Sequence, residues 1–183
     1  FATPDATGRA ATDRVISMLH GASEQRSNGE VAVHDAGGGD ASTLVAGPER
    51  PMRHVLIVLN ERAGTLLDRD PVAVKTELRQ RLARAGRKVD VLLAHKRGIV
   101  RAIDRGAASD YDTIVVGGGD GSVGYAAGRL AGSEKTLGVL PLGTVNLLAR
   151  DIGVPANLDD AIAALEASAP RVIDLGVLNG RAF

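Results

Sequence analysis

The sequence predicts an α/β fold, a parallel sheet with helices on both faces, followed by the start of a truncated β-rich second region. After residue 53, short apolar runs rich in β-branched residues alternate four times with stretches of helical spacing. The runs are apolar almost throughout, as expected of strands covered on both faces. Near the chain end an Asn179-Gly180 pair between apolar runs changes the pattern and signals a hairpin.

Residues 1–50 hold one weak helical patch, "AATDRVISMLHGA", and then "SNGEVAVHDAGGGDAST", whose glycines and small polar residues look like a linker. The "GGGD" at 37–40 has no apolar strand before it and no helical pattern after it, so composition alone explains it. From "HVLIVLN" (54–60) the signal sharpens. Asp70-Pro71 makes a helix start, Leu78 and Leu82 recur at helical spacing, and Gly86 sits where a helix stop belongs. Strand "KVDVLLA", helix "IVRAIDRGAA", strand "DTIVV", helix "VGYAAGRLAG", strand "TLGVLP" and a helical stretch after Gly143 follow. Asn157 caps "LDDAIAALEAS", with Asp159 and Asp160 favourably placed in its first turn. The expected divisions are a linker or poorly ordered segment over 1–50, an α/β domain over 52–170 and the start of a truncated β-rich domain over 171–183.

Composition narrows the function classes. The only aromatics are Phe1, Phe183, Tyr111 and Tyr125, which weakens any nucleic-acid reading built on stacking platforms. The chain has no cysteine, which excludes disulfides, thiolate catalysis and Cys-based metal sites, and fits a reducing cytosol. No apolar stretch approaches the ~18 residues of a membrane span, and no signal peptide is indicated. The chain starts at Phe1, not Met, and is expected to be a fragment. Net charge is zero, but residues 50–105 carry 14 basic and 6 acidic side chains while the flanks are acidic. Such a field attracts phosphates or an anionic membrane surface, although arginines such as Arg79, Arg81, Arg84 and Arg87 fit a solvated helix face as well.

The chemistry concentrates in "IVVGGGDGS" (114–122). A parallel strand feeding a glycine turn and a helix aims backbone N–H groups at whatever lies above the turn, usually phosphate. Gly117, Gly118, Gly119 and Gly121 remove the Cβ atoms that would block its approach. A bare phosphate would be repelled by Asp120, so the turn suits a nucleotide's phosphates plus Mg2+, with Asp120 engaging the ion or accepting a proton. An ordinary turn with Asp120 and Ser122 capping the next helix would carry the same residues. Neither the Walker spacing nor the dinucleotide fingerprint is present. Two further strand ends, "NERAG" (60–64) and "LPLGTVNLLAR" (140–150), offer glycine turns with amide or hydroxyl side chains, and this convergence favours a nucleotide site.

"GGGDGS", followed about twenty residues later by "LGVLPLGTVNLLARDIGVP", resembles the catalytic domain of the bacterial diacylglycerol kinase and lipid kinase family, related to sphingosine kinases and NAD kinases. "N-x-x-A-G" at 60–64 and "VIDLGVLNGRAF" fall in the expected order, and the resemblance covers about residues 52–183. It implies an ATP-binding domain followed by a β-rich domain, with ATP and Mg2+ as cofactors and a lipid at a membrane surface as acceptor. Asn60, Gly64, Gly118, Gly119, Asp120, Gly121, Ser122, Gly143, Thr144 and Asn146 would form the nucleotide site, and Asp120 would be the catalytic and metal-engaging residue of this half. The general base is expected beyond residue 183, so the fragment alone is expected to be inactive.

The sequence departs from the family pattern at Glu61, where proline is usual, at Ser122 for threonine, and at Gly124-Tyr125 for Asn-Glu. A threonine usual after the second strand is replaced by Ala94 or His95. The alternatives are an NAD kinase-like enzyme, which should show a Gly-Phe-Leu type segment where this chain has "GTVNLLAR", and a non-catalytic nucleotide-binding module. A cytoplasmic protein with peripheral attachment to the inner membrane face, and a homo-oligomer, are both compatible with the sequence.

Overall fold

The computed structural model describes the backbone of residues 13–19, 52–178 and 181–182, and the side chains of 52–176. Four parallel strands lie where the apolar runs place them: β2 (His54–Asn60), β3 (Lys88–Ala94), β4 (Thr113–Gly118) and β5 (Thr136–Pro141). Two more complete a six-stranded sheet, β1 (Asp13–Leu19) and β6 (Ala169–Leu175), in the order β3-β2-β4-β5-β1-β6. β1 runs parallel to β5, with Ile16 opposite Thr136, and antiparallel to β6 from Asp13 opposite Leu175 to Leu19 opposite Ala169.

β1 corrects the sequence reading, which took this stretch as a helical patch. The short run "VISML" has little helical length and two adjacent β-branched residues. The side of β5 away from β4 is open, and pairing there satisfies backbone groups that an isolated helix of this size could not organise. The glycine-rich stretch that follows, with its "GGGD" at 37–40, and the Asn179-Gly180 pair lie outside the described residues. On either side of that pair, β7 (Val177–Leu178) and β8 (Arg181–Ala182) pair antiparallel, Leu178 opposite Arg181.

Helices cover both faces. α1 (Pro71–Arg84) and α5 (Leu158–Ala167) bury Val74, Leu78, Leu82, Ile162 and Leu165 against Val55, Ile57 and Leu59 of β2. α2 (Arg97–Ala107) and α3 (Asp120–Leu130) bury Ile99, Ile103, Ala126 and Leu130 against Leu56 and Val58 on the opposite face. Every residue of β4 and β5 is buried, the opening Thr113 and Thr136 among them, and the rest of each strand is accordingly free of polar side chains. The helix signals act as expected. Asp70 accepts from Val72 N–H with Pro71 at the first helical position, and Asn157 accepts from the Asp159 and Asp160 amides. Gly86 has φ +76° just after α1, a conformation natural to glycine.

β2 is followed in the chain by β3 on one side, and β4 then lies on its other side. The sheet therefore has its topological switch between β2 and β4. In open α/β sheets, ligands bind outside the carboxyl ends of the strands at such a point. Asn60 and Gly118 end those two strands.

Candidate active site

Three strand-end turns interlock at this crevice. Beyond β5, Leu142 N–H donates to Gly118 O at 3.2 Å, and Thr65 N–H of the β2 turn donates to Leu142 O at 3.3 Å. The turns after β4 and β5 touch through glycine, because a Cβ on Gly143 would stand 2.5 Å from Gly119 Cα and 3.2 Å from Gly119 N. A Cβ on Gly118 would meet Ser122 at 3.1 Å and Asn60 Cβ at 3.9 Å. Two other glycines are unlike these. At Gly64 and Gly121 a Cβ would meet nothing within 4 Å, and neither has a positive φ. Among the described residues nothing requires glycine at either position, which leaves the backbone open to approach from outside.

Asp120 opens α3, with Gly119 as the residue before it, and it does not cap its own helix. Its carboxylate reaches across to the next turn. Oδ2 accepts from Asn146 N–H at 3.1 Å and Oδ1 from Leu147 N–H at 2.6 Å, so Asp120 satisfies the start of α4 (Leu147–Asp151). Asn146, in the left-handed region at φ 54°, locks the same turn. Its Oδ1 accepts from Gly143 N–H at 2.9 Å and its Nδ2 donates to Gly143 O at 2.7 Å. The intrahelical ladder of α3 starts with Ser122 and Val123 N–H on Gly119 O, which leaves the amides of Asp120 and Gly121 ahead of it, at the positive end of the helix dipole.

Asn60 forms a local turn, its Oδ1 accepting from Arg62 N–H at 3.2 Å. Beside it, Glu61 N–H donates to Ala94 O at 3.1 Å, a bond that a proline at this position could not make. The Glu61 carboxylate holds His95 Nδ1 at 2.8 Å. Thr144 and Arg150 are exposed on the β5 turn and α4.

The diacylglycerol kinase catalytic domain family matches residues 54–178 of this chain. The chain belongs to this family. A "probable lipid kinase YegS-like" of Pseudomonas aeruginosa PAO1 is 40% identical over 133 residues, which cover 70% of this chain and 41% of that protein. A "diacylglycerol kinase" of Bacillus subtilis is 29% identical over 138 residues, 72% of this chain and 44% of that protein. A crystal structure of a diacylglycerol kinase from Bacillus anthracis superposes with a TM-score of 0.56 at 26% identity, over 72% of this chain and 45% of that chain. The chain spans about two fifths of the length of the curated relatives it matches.

Within this diacylglycerol kinase family frame, the structure gathers Asn60, Gly118, Gly119, Asp120, Ser122, Gly143 and Asn146 at one crevice. Gly64 and Gly121 present open backbone, and Thr144 lies on the exposed part of the β5 turn. Sequence reasoning missed that the Asp120 and Asn146 side chains bind neighbouring backbone, and that Glu61 and His95 pair. The partner amides of Asp120 lie 26 and 27 positions away, so no local spacing announces them. The Glu61–His95 pair was visible only as two departures from the family pattern.

The carboxylate of Asp120 fits an ion that arrives with a nucleotide's phosphates. Among the described residues no cluster of three or more His, Asp or Glu is placed to hold an ion. Asp120 is half-buried and uses one acceptor position on each oxygen for an amide, leaving lone pairs free. Mg2+ typically takes one or two carboxylates and completes its shell with waters and phosphates.

Proposed function

We propose that this chain is the nucleotide-binding half of an ATP-dependent lipid kinase that transfers the γ-phosphoryl group to a hydroxyl of a membrane lipid of the diacylglycerol class. The observation that carries this reading is that Gly64 and Gly121, two of the glycines that no described residue requires, present open backbone in the turns after β2 and β4. In the reaction the lipid hydroxyl oxygen bonds to the γ-phosphorus, the bond to the β,γ-bridging oxygen breaks, and ADP leaves. The hydroxyl proton passes to a base, which we assign to a part of the protein beyond residue 183.

Phosphoryl transfer depends on positioning and on donors aimed at the developing charge. Asn60 and the open backbone at Gly64 and Gly121 would flank the phosphates. The early amides of α3 would donate to them, and Thr144 and Ser122 would add hydroxyl donors. Asp120 would hold Mg2+, directly or through water, and the ion when bound would neutralise charge on the phosphates. By tying α4 to the glycine turn, the same carboxylate keeps the two turns in register. A cytoplasmic enzyme acting at the inner membrane face fits this chemistry. Among the described residues no helix is long and apolar enough to cross a membrane.

The test is phosphorylation of a soluble short-chain diacylglycerol by the intact protein with ATP and Mg2+. Lipid-dependent ADP release supports the assignment. ATP binding without transfer would make the domain a regulatory module, and phosphorylation of NAD in place of the lipid would make it an NAD kinase-like enzyme.

A further inference from the structure

We propose that the outer face of α2, with the cleft it forms against the edge strand β3, docks on an anionic phospholipid surface. The inference deepens the lipid kinase reading and rests on it for the presence of a bilayer. Its first support is how the excess positive charge of residues 50–105 is distributed in space. Around α1 much of that charge is met by the protein's own acceptors. Arg81 binds Glu166 at 3.1 and 2.6 Å and Glu77 at 3.3 Å, Arg69 binds Asp159 at 2.8 Å, and Arg87 donates to Glu166 O at 2.9 Å.

Among the described residues, Lys75, Arg79 and Arg84 of α1 make no ion pair, and on α2 none of the cations does. Arg97, Arg101 and Arg105 recur every four residues, all exposed, and so form one stripe led by Lys96. Like charges at this spacing repel and weaken a helix. The only acid on α2, Asp104, points to α3, where Tyr125 Oη at 2.8 Å and Arg129 Nε at 3.1 Å donate to it. Among the described residues, Lys96 and the three arginines make no ion pair. A helix that keeps such a stripe without carboxylate partners, with Arg105 Nε donating only to the Arg101 carbonyl at 3.3 Å, is suited to an external polyanion.

Shape selects the polyanion. α2 leaves the face of the edge strand partly uncovered, and a cleft of about 680 Å³ opens between them. Leu92, Ala94 and Ala102 contribute apolar lining, with Leu92 38% exposed, and Lys96, Arg97 and Arg105 contribute the charge. Cations beside an apolar floor match a phospholipid, with phosphate on the guanidinium groups and hydrocarbon over Leu92. A nucleic acid would match the charge but leave the floor wet, and the one ring among the lining residues, His95, is held by the Glu61 carboxylate at 2.8 Å. Position agrees as well. Ala94 is paired with Asn60, so the cleft opens at the same end of the sheet as the nucleotide turns.

Flotation of the intact protein with phosphatidylcholine vesicles, with and without phosphatidylglycerol, tests the proposal. Binding should require the anionic lipid and weaken with salt. Each arginine near an anionic leaflet contributes roughly fivefold, so the combined Arg97→Gln, Arg101→Gln and Arg105→Gln variant should lose about a hundredfold in partitioning. That variant relieves like-charge repulsion and should be no less stable. Leu92→Asn should reduce partitioning without changing its salt dependence, while Arg79→Gln with Arg84→Gln on α1 should leave it largely intact. Unchanged partitioning of the triple variant, equal binding to neutral vesicles, or a larger loss of duplex RNA binding than of vesicle binding would overturn the proposal. Flotation contains no ATP, so its failure leaves the kinase reading standing. The kinase reading fails separately if the soluble short-chain acceptor is not phosphorylated, a reaction the α2 variants should leave unchanged.

Discussion

Gly121 lies in the first turn of α3 with negative φ and open space where a Cβ would stand. Alanine there should stabilise the free protein by up to about 1 kcal/mol, the usual helix-interior difference between the two residues. If phosphates approach this backbone, the added methyl must also weaken ATP binding. Thermal melts should show Gly121→Ala with a higher Tm without nucleotide and a smaller rise on adding Mg-ATP, and an undiminished rise counts against a phosphate site. Gly143 is the opposite case. Its Cβ would be forced into the Gly119 backbone at 2.5 Å, so Gly143→Ala should cost about 1–3 kcal/mol in denaturant unfolding and displace both turns. Asp120→Asn leaves one acceptor oxygen where two amides need partners, so it should lose about 1 kcal/mol of stability together with lipid phosphorylation. Wild-type turnover by this variant would remove Asp120 from the site.

Among the elements, helices whose caps lie nearby in sequence were legible from it, and the one capped from a distance was not. α5 is capped by Asn157 immediately before it, so Asn157→Ala should lower stability by about 1 kcal/mol, measurable by urea denaturation with turnover per folded molecule unchanged. α4 is five residues long, its first amide is held by Asp120, and its entry is set by the left-handed Asn146. A helix this short has no stability of its own. The sequence marked only a helical stretch after Gly143, because the carboxylate that fixes its start belongs to another turn. β1 shows the converse error. A weak local helical pattern gave way to the open side of β5, which no local pattern reports.

In the whole molecule, the strand order brings the ends of β2 and β4 side by side and joins the β5 turn to them through Leu142 and Gly143. In the proposed site the crevice would supply donors for phosphates, and its carboxylates have partners within the chain. Asp120 accepts from two amides and, in the proposed reaction, would spend its remaining lone pairs on Mg2+, while Glu61 holds His95, so we assign the base for the acceptor hydroxyl to neither. Residues 1–183 alone should therefore bind ATP weakly at best and produce no phosphatidic acid from diacylglycerol micelles, while the longer protein does. Equal product from both, measured with radiolabelled ATP, would show that the base lies within these residues.

The sequence by itself determined the alternation of strands and helices, the buried character of the central strands, the caps of α1 and α5, and which glycine turns share one end of the sheet. Each of these follows from periodicity, or from partners within a few residues along the chain. Tertiary structure alone decided which glycines are needed by the fold and which face open space. It also decided that Asp120 joins two turns, that residues 13–19 extend the sheet, and that the arginines of α2 stay unpaired while several around α1 do not. Those outcomes depend on groups distant in sequence meeting in space, and local propensity carries no record of such meetings.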